Sequence, residues 1–308
     1  AITDHKAPFA EFLTHKANMI GKEAMHWYDF DAPVTASTAT MPYQEGAEFI
    51  LKQFGKFGKE LEAFTKKAFE DGWIEAEDRD NKRPGGFCTG MPLAEQSRIF
   101  MTYSGTMSNV STLAHELGHA FHSYALRPVH MLNRRYAMNV AETASTFAEM
   151  IVSDAAVQEA TSREEKIALL EDKIQRSVAF FMNIHARFLF ETRFYEERKK
   201  GLVSSKRLNE LMEEAQREAY AGALGDTHPH FWASKMHFFI TGVPFYNFPY
   251  TFGYLFSLSI YAKAKEEGAG FEEKYISLLQ DTAVMTVEDL AMKHLNEDIT
   301  KREFWEKG

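Results

Sequence analysis

Two histidines and a glutamate lie close together in the segment 111–122, which reads Ser-Thr-Leu-Ala-His-Glu-Leu-Gly-His-Ala-Phe-His. In a helix, His115 and His119 lie on one face and about 6 Å apart along the axis, so both imidazoles can bind one metal ion. Glu116 falls beside them, where a carboxylate can take a proton from a water molecule on that metal. The spacing therefore predicts a metal centre that activates water.

The residues that follow decide where a third ligand must lie. A third histidine on the same segment would require Gly at position 122 and His at position 125, but this chain has His122 and Ala125. The His122 side chain lies about 10 Å beyond His115 along the helix, which is too far to join the same metal ion. The third ligand must therefore come from another part of the chain.

Two carboxylates in the segment 139–150 are candidates for this role. Glu142 and Glu149 are seven residues apart, so a helix places them on one face. Glu142 can bind a metal ion, and Glu149 can accept the ring N–H of a metal-binding histidine. Two histidines and one carboxylate leave a fourth position for water, as in catalytic zinc sites. The alternative is a chance His-Glu-x-x-His match, with Glu149 an ordinary helical carboxylate.

The cysteine count and the charge balance exclude several other classes of protein. Cys88 is the single cysteine, so neither an internal disulfide nor a closed thiolate metal site can form. No positively charged start followed by an apolar run is seen, and we therefore expect a cytoplasmic location. With 35 Lys and Arg against 44 Asp and Glu, the net charge of −9 gives no basic surface for nucleic acid or an anionic membrane.

The metal-binding segment must be held by other elements, and most of these are predicted to be helices. Apolar residues recur at intervals of three and four with Ala, Glu, Lys and Leu between them. Between Asp80 and Asn109, alternating residues at Gly86–Thr89 and Arg98–Tyr103 predict a small sheet. Further helices are predicted at Pro8–Met25, Pro42–Ile74, Ser162–Lys200, Ser204–Tyr220, Pro249–Glu267, Phe271–Val284 and Val287–His294.

One uncharged stretch has the length of a membrane span. No charged side chain occurs between Lys235 and Lys263. Pro244 and Pro249 interrupt a helix, however, and His237 is unfavourable in lipid. We therefore predict a buried loop that enters a buried helix, and no membrane span.

These motifs resemble the oligoendopeptidase F branch of the thimet-oligopeptidase family of zinc peptidases. The resemblance is carried by His-Glu-Leu-Gly-His-Ala-Phe-His-Ser and by Ala-Glu-Thr-Ala-Ser-Thr-Phe-Ala-Glu, which starts twenty-two residues after His119. The segments 235–239 and 245–255 resemble the substrate-side loop of that family, and 81–103 resembles the sheet before its active-site helix. The resemblance implies a mainly α, zincin-like helical catalytic lobe with a small β-sheet before the active-site helix.

The resemblance also implies a function and a set of site residues. His115, His119 and Glu142 match the ligands of one zinc ion (Zn2+) per chain, and Glu116 matches the general base. The implied activity is hydrolysis of internal bonds in short peptide substrates, inside a deep channel that folded proteins cannot enter. In this family tyrosine hydroxyls and a histidine stabilise the tetrahedral oxyanion. The matching candidates here are His237, Tyr246, Tyr250 and Tyr254.

The chain differs from that family in length, since family members are roughly twice as long and carry an additional N-terminal helical lobe. We therefore interpret residues 1–308 as a single zinc-peptidase catalytic lobe, part of a longer chain, with the missing N-terminal lobe as its possible partner. The strand Arg98–Tyr103 is a candidate edge strand for pairing with a peptide substrate.

Two other functions remain open at the level of the sequence. A dipeptidyl carboxypeptidase would need a cation for the terminal carboxylate of its substrate. No spacing singles out one cation among Arg127, Arg134, Arg135 and Arg187. A non-catalytic helical scaffold with a vestigial metal site is the second alternative.

Overall fold

The computed structural model describes residues 6–34, 40–83, 85–268 and 270–307, and these residues group into two compact units. The first unit combines the described residues up to 34 with 162–251, and the second combines those between 40 and 161 with 252–307. Each unit is therefore built from two separate stretches of the chain.

Helices account for most of the described residues, which confirms the prediction of a mainly α fold. In chain order they are α1 (Ala7–Met19), α2 (Tyr43–Phe57), α3 (Lys59–Glu70), α4 (Met107–Ala125), α5 (Thr143–Glu159), α6 (Arg163–Val178), α7 (Ile184–Arg198), α8 (Ser205–Ala219), α9 (Phe248–Glu267), α10 (Phe271–Asp281), α11 (Val287–Leu295) and α12 (Arg302–Lys307). The strands are β1 (Ile74–Glu75), β2 (Gly86–Met91) and β3 (Gln96–Met101). None of the helices among the described residues combines the length and apolar character that a membrane crossing requires.

The small sheet in the second unit has the strand order β1-β3-β2. Strand β3 pairs in antiparallel fashion with β2, with Cys88 opposite Ile99, and in parallel with β1. Side chains of β3 alternate between partly buried and buried, so one face of the strand packs on the core. The expectation that Arg98–Tyr103 forms an edge strand is therefore wrong: β3 is central, and β2 is at the edge.

The predicted single helix over Pro42–Ile74 is also wrong, since α2 and α3 are separate helices. Gly58 between them has extended backbone, with φ −172° and ψ 157°. A Cβ atom at Gly58 would collide with the carboxylate of Glu272 from α10. That carboxylate accepts hydrogen bonds from the backbone N–H of Glu60 at 3.2 Å and of Leu61 at 2.8 Å. A side chain from a distant helix therefore caps α3, and this contact cannot be predicted from the local sequence.

Each unit has its own hydrophobic core. In the second unit, the buried faces of α4 and α5 meet residues of α9 and α10, including Phe256 and Tyr275. In the first unit, buried residues of α1 meet Met182 and Tyr220. These separate cores explain why the chain divides into two units.

The long helical run in the first unit begins as predicted. The Ser162 hydroxyl accepts the N–H of Glu165 at 3.0 Å and caps α6. A π-helical turn at Ala179–Asn183 joins α6 to α7. The Phe180 carbonyl in this turn accepts a hydrogen bond from the Thr251 hydroxyl at 2.6 Å. The turn therefore helps to hold the start of α9.

Candidate metal centre

Helix α4 carries the His-Glu-x-x-His motif and begins at a well-defined cap. The Thr106 side chain accepts the N–H of Asn109 at 3.1 Å, and the Asn109 side chain accepts the N–H of Thr106 at 3.3 Å. This reciprocal capping fixes where the helix starts. Leu113 and Leu117 on one face of α4 are fully buried in the core, whereas His115 stays partly exposed.

Close contact between α4 and α5 brings Glu142 to the two histidines. A Cβ atom at Gly118 would lie 2.5 Å from the Ala144 carbonyl oxygen and 2.7 Å from Ser145 Cα, so only glycine allows this approach. Glu142 occupies the position immediately before α5, with φ −95° and ψ 5°. The residue is 8% exposed. The second carboxylate, Glu149, lies two turns further into α5.

Three side-chain atoms form a compact triangle that fits one metal ion. The Nε2 atoms of His115 and His119 are 3.2 Å apart, and each lies 3.4 Å from Glu142 Oε2. Donor atoms about 2.1 Å from a tetrahedral zinc ion are about 3.4 Å from one another, so the spacing suits zinc. Two imidazoles and a carboxylate are also the donor types of catalytic zinc sites.

Two hydrogen bonds orient these candidate ligands. His115 Nδ1 lies 2.5 Å from Glu149 Oε1, which leaves Nε2 to face the triangle. The Ser145 hydroxyl donates to Glu142 Oε2 at 2.8 Å. The sequence predicted that Glu149 accepts the ring N–H of a metal-binding histidine, and Glu149 does contact His115, whereas the contact of Ser145 was not predicted. The position of Ser145, three residues after Glu142 at the start of a helix, was the available signal.

Helix α9 packs against Glu142 through Gly253. A Cβ atom at Gly253 would lie 2.6 Å from the Cβ atom of Glu142. The Ser257 hydroxyl, one turn later, donates to the Thr143 carbonyl at 2.7 Å. Gly253 and Ser257 therefore fix the backbone that carries Glu142, a role that the sequence analysis missed because it depends on a contact between segments 111 residues apart.

The electrostatics of the triangle favour charged forms despite burial. Burial opposes the imidazolium of His115, but the hydrogen bond and charge of Glu149, with the charges of Glu142 and Glu116, raise its pKa to about 9. Burial likewise opposes the carboxylate of Glu142, but a hydrogen bond from His119, the charges of His119 and His115 and a hydrogen bond from Ser145 lower its pKa to about 2. The carboxylates beside the two histidines therefore favour positive charge at this point, either a proton on His115 or a metal ion that replaces it.

Glu116 is buried beside this cluster. The residue is 5% exposed, and within the described chain its Oε2 atom has no hydrogen-bond partner. Burial is the main cause that raises the pKa of Glu116, while the charges of His115 and His119 oppose the shift. A Cβ atom at Gly86, the first residue of β2, would lie 3.0 Å from Glu116 Oε1. The edge strand therefore starts directly against this carboxylate.

The four candidates for oxyanion stabilisation divide between the two units. His237, Tyr246 and Tyr250 belong to the first unit, where the His237 ring stacks on Tyr246 at 5.0 Å and meets Tyr250 edge-on at 6.1 Å. Tyr254 belongs to the second unit and is 6% exposed. Burial, followed by the charges of Arg187 and Lys235, lowers the pKa of His237, so its imidazole is neutral at pH 7.

Helix α7 holds the loop that carries Tyr246. Phe245 has a positive φ of 58°, a strained conformation for a residue other than glycine. Its backbone N–H donates to Glu191 Oε1 at 2.7 Å. Arg187 donates to the Asn247 side-chain oxygen at 3.1 Å, and Asn247 is 1% exposed. Two side chains of α7 therefore hold the residues on both sides of Tyr246, Glu191 through the backbone of Phe245 and Arg187 through the side chain of Asn247.

His122 is an interior residue, as its position in the sequence suggested. It is fully buried, its Nε2 atom lies 2.8 Å from the Thr282 hydroxyl, and its ring stacks on Tyr136 at 4.2 Å. The Cys88 thiol is not a candidate nucleophile or metal ligand, because both roles require the thiolate. Burial, followed by the charge of Glu116, raises the pKa of this thiol to about 12.

The chain is similar to curated peptidases along most of its length. It is 26% identical over 287 residues to an oligoendopeptidase F homolog of Lactococcus lactis, covering 91% of this chain and 47% of that protein. It is 22% identical over 289 residues to oligopeptidase PepF of Bacillus subtilis, covering 91% of this chain and 42% of that protein. These relatives confirm the resemblance to oligoendopeptidase F. The chain spans less than half the length of either relative.

Solved structures share the fold at lower sequence identity. PZ peptidase A, solved with an inhibitor, matches with a TM-score of 0.80 at 18% identity, covering 98% of this chain and 54% of that chain. Oligoendopeptidase-F from Enterococcus faecium matches with a TM-score of 0.67 at 18% identity, covering 99% and 48% respectively. The model of Peptidase family M3 matches residues 56–306, which include the whole candidate metal centre. The chain therefore belongs to peptidase family M3.

Proposed function

We propose that this chain is the catalytic part of a zinc-dependent endopeptidase that hydrolyses internal bonds of short peptides. The observation that carries the proposal is the triangle of His115, His119 and Glu142 ligand atoms, 3.2 to 3.4 Å apart. The proposal is further supported by membership of family M3 and by relatives whose names denote oligoendopeptidases.

Each residue of the centre has a distinct role in this proposal. Zinc held by the three ligands would polarise the scissile carbonyl and lower the pKa of water. Glu116 takes a proton from the attacking water at a carboxylate oxygen and passes it to the leaving amine nitrogen. Its raised pKa favours this proton transfer, because a carboxyl group whose pKa is closer to neutral pH both accepts and returns a proton readily. Glu149 keeps the Nδ1 proton of His115 in place.

We assign oxyanion stabilisation to side chains in the segment 237–254. The candidate donors are His237, Tyr246, Tyr250 and Tyr254. The neutral His237 imidazole has one N–H to donate, and tyrosine hydroxyls donate at any pH below their own pKa. The hold of α7 on the loop supports this assignment, since donors that are fixed before reaction stabilise charge most effectively.

The substrate in this proposal lies along β2. Among the described residues β2 is an edge strand of the sheet, and a peptide can pair with the backbone of such a strand by main-chain hydrogen bonds. Strand β2 begins beside Glu116, so such a peptide would bring a backbone carbonyl towards the metal centre. Short peptides as partners, a cytoplasmic location and an N-terminal lobe completing the channel remain predictions.

Hydrolysis of an internally quenched peptide of about ten residues tests the proposal. We expect cleavage that a zinc chelator abolishes and added zinc restores. Glu116→Gln should retain one zinc ion per chain and lose roughly 10²–10⁴-fold in turnover. Glu159→Gln, an exposed carboxylate of α5, is the control and should behave as wild type.

The products decide between the remaining alternatives. Mass analysis that finds successive dipeptides from the C-terminus would replace the endopeptidase with a dipeptidyl carboxypeptidase. If Glu116→Gln and wild type are equally inactive while both bind zinc, the chain alone acts as a scaffold.

A further inference from the structure

A cavity of about 390 Å³ in the second unit brings together three arginines that the sequence left unassigned. It lies between the end of the β2–β3 hairpin, the C-terminal end of α4 and the segment 134–136. Arg127, Arg134 and Arg135 line it, together with Ser123 and Tyr136. None of these residues takes part in the proposed hydrolysis.

The guanidinium groups of Arg127 and Arg134 are held in place without a carboxylate partner. Arg134 donates to the Val129 carbonyl at 2.8 Å and to the Arg127 carbonyl at 2.5 Å. Arg127 donates to the Glu95 carbonyl and lies 4.9 Å from the centre of the Tyr124 ring. Within residues 6–34, 40–83, 85–268 and 270–307, no Asp or Glu oxygen lies within 4.0 Å of any of the three guanidinium groups. Among the residues that the structure describes, Glu95 is the one acidic residue lining the cavity.

Backbone acceptors hold Arg127 and Arg134 but do not neutralise them. A site with three positive charges and one negative charge attracts an anion, and the guanidinium fork matches a carboxylate in particular. Carboxylates are also the anions that an unmodified peptide carries. The cavity is large enough for a whole acidic side chain.

Two independent measures give the distance from the cavity to the catalytic carboxylate. In strand β2, Gly86 lies beside Glu116 and Gly90 lines the cavity, and the four-residue step between them spans about 13 Å. Along α4, Glu116 and Tyr124 are separated by eight residues, or about 12 Å. An extended peptide covers this distance in about four residues.

We propose that this cavity binds a carboxylate of the peptide substrate about four residues from the cleaved bond. The inference rests on the proposed peptidase function and names a substrate class for it: peptides with an acidic group at that distance. Release of dipeptides would require the terminal carboxylate only two residues, or about 7 Å, from the cleaved bond. The cavity is too distant for that role, so it favours cleavage of internal bonds.

Matched peptides and arginine variants test the proposal. Three pairs of ten-residue quenched peptides would carry Glu or Gln four residues before the cleaved bond, Glu or Gln four residues after it, or a free or amidated C-terminus four residues after it. Pairing antiparallel to β2 predicts the first position, and parallel pairing predicts the other two. Preference within one pair identifies which carboxylate is bound.

Arg135→Gln is the variant of choice, because Arg135 is exposed and makes no ion pair among the described residues. We expect wild type to favour one acidic peptide roughly 5- to 10-fold in kcat/KM, mainly through KM. Arg135→Gln should bring that ratio close to one, and Arg135→Lys should retain part of it. Arg163→Gln, at an exposed position on α6, is the charge-matched control. Equal ratios in wild type and Arg135→Gln overturn the proposal.

A binding measurement separates this inference from the proposed activity. Labelled versions of the same peptides would be titrated into the full chain carrying Glu116→Gln, with fluorescence anisotropy as the readout. Tighter binding of one acidic peptide, lost when Arg135→Gln is added, supports the arginine cavity even if no peptide is cleaved. Equal binding of the peptides within every pair rejects it.

Discussion

At the scale of single residues, the hydrogen bond between Glu149 and His115 determines which imidazole nitrogen faces the candidate metal centre. The bond is formed at Nδ1, so Nε2 joins the triangle with His119 and Glu142. Ser145 has a similar effect on Glu142. Neither residue needs to touch a metal ion to control the geometry of its ligands.

Replacement of Glu149 should weaken zinc binding without removing a ligand. Glu149→Gln keeps a hydrogen-bond acceptor but loses the charge that supports His115, and we expect the zinc Kd to rise roughly 10- to 100-fold. Competition with a chromogenic chelator measures this Kd. Glu159→Gln, on the same helix but exposed, provides the comparison. An unchanged Kd in Glu149→Gln would mean that the bond has no part in metal binding.

His122 affects how the stability of the fold depends on pH, because it is buried in its neutral form. Burial, with a contribution from His119, lowers its pKa to about 3. An unfolded chain takes up a proton at this histidine below about pH 6.5, whereas the folded chain does not. The unfolded state therefore binds more protons below that pH, and the stability present above pH 6.5 is lost as the pH falls towards 3.

Acid sensitivity should accordingly decrease in His122→Gln, which retains a polar atom towards Thr282. Between pH 6.5 and pH 5 we expect the wild-type free energy of unfolding to fall by about 1–2 kcal/mol more than that of the variant. Urea unfolding at several pH values measures both. Parallel pH profiles would show that His122 does not control acid sensitivity.

The residues of the candidate metal centre were the easiest to predict from the sequence. The helical spacing of His115, Glu116 and His119 requires no knowledge of the fold, and the predicted carboxylates Glu142 and Glu149 do lie beside them. The contribution of Ser145 and Gly253 depends on contacts that form only when helices pack. Such contacts leave no periodic pattern in the sequence.

At the scale of secondary-structure elements, the distance between α4 and α5 controls the metal centre. Gly118 lets the two helices touch along their backbones, and Gly253 does the same for α9 against Glu142. A methyl group at either position would push away the segment that carries a candidate ligand. Close packing of α4 against α5 therefore explains why the His-Glu-Leu-Gly-His segment has glycine at position 118.

Gly118→Ala should test this contact. Alanine raises the intrinsic helix propensity of α4 by about 1 kcal/mol, but overpacking against α5 costs about 1–3 kcal/mol. We expect a net loss of stability together with weaker zinc binding, measured by thermal unfolding with and without zinc. Gly90→Ala, at a position where a Cβ atom meets open space, is the control. Gain of stability at Gly118→Ala would contradict the role of this contact.

Elements with a local cause were predicted well, and those with a distant cause were not. The Ser162 cap and the helices α8, α10 and α11 follow from apolar periodicity and capping residues. The break at Gly58 follows from Glu272, which lies more than 200 residues later. The central position of β3 follows from β1, a strand too short to be read from its two residues.

At the scale of the whole molecule, the two units have separate cores, and the candidate zinc ligands all belong to the second. Ligand binding stabilises the region that holds the ligand relative to its open states. Zinc is therefore expected to act unequally on the two units.

Removal of zinc should appear as local loss of protection in amide hydrogen exchange. We expect faster exchange in α4 and α5 after chelation, and little change in α8 of the first unit, which contains no residue of the metal centre. Mass spectrometry of peptic fragments measures both. A uniform increase across α4, α5 and α8 would show that zinc stabilises the chain as one cooperative body.

The division of each unit into two stretches also sets an order of events during synthesis. A chain made from its N-terminus exposes His115 and His119 early, but Gly253, Phe256 and Tyr275, which pack around the same core, emerge only after residues 162–251. A nascent chain halted before residue 252 would carry both histidines without the helix that supports Glu142. We therefore expect the candidate metal centre to assemble late in translation, after α9 has been made.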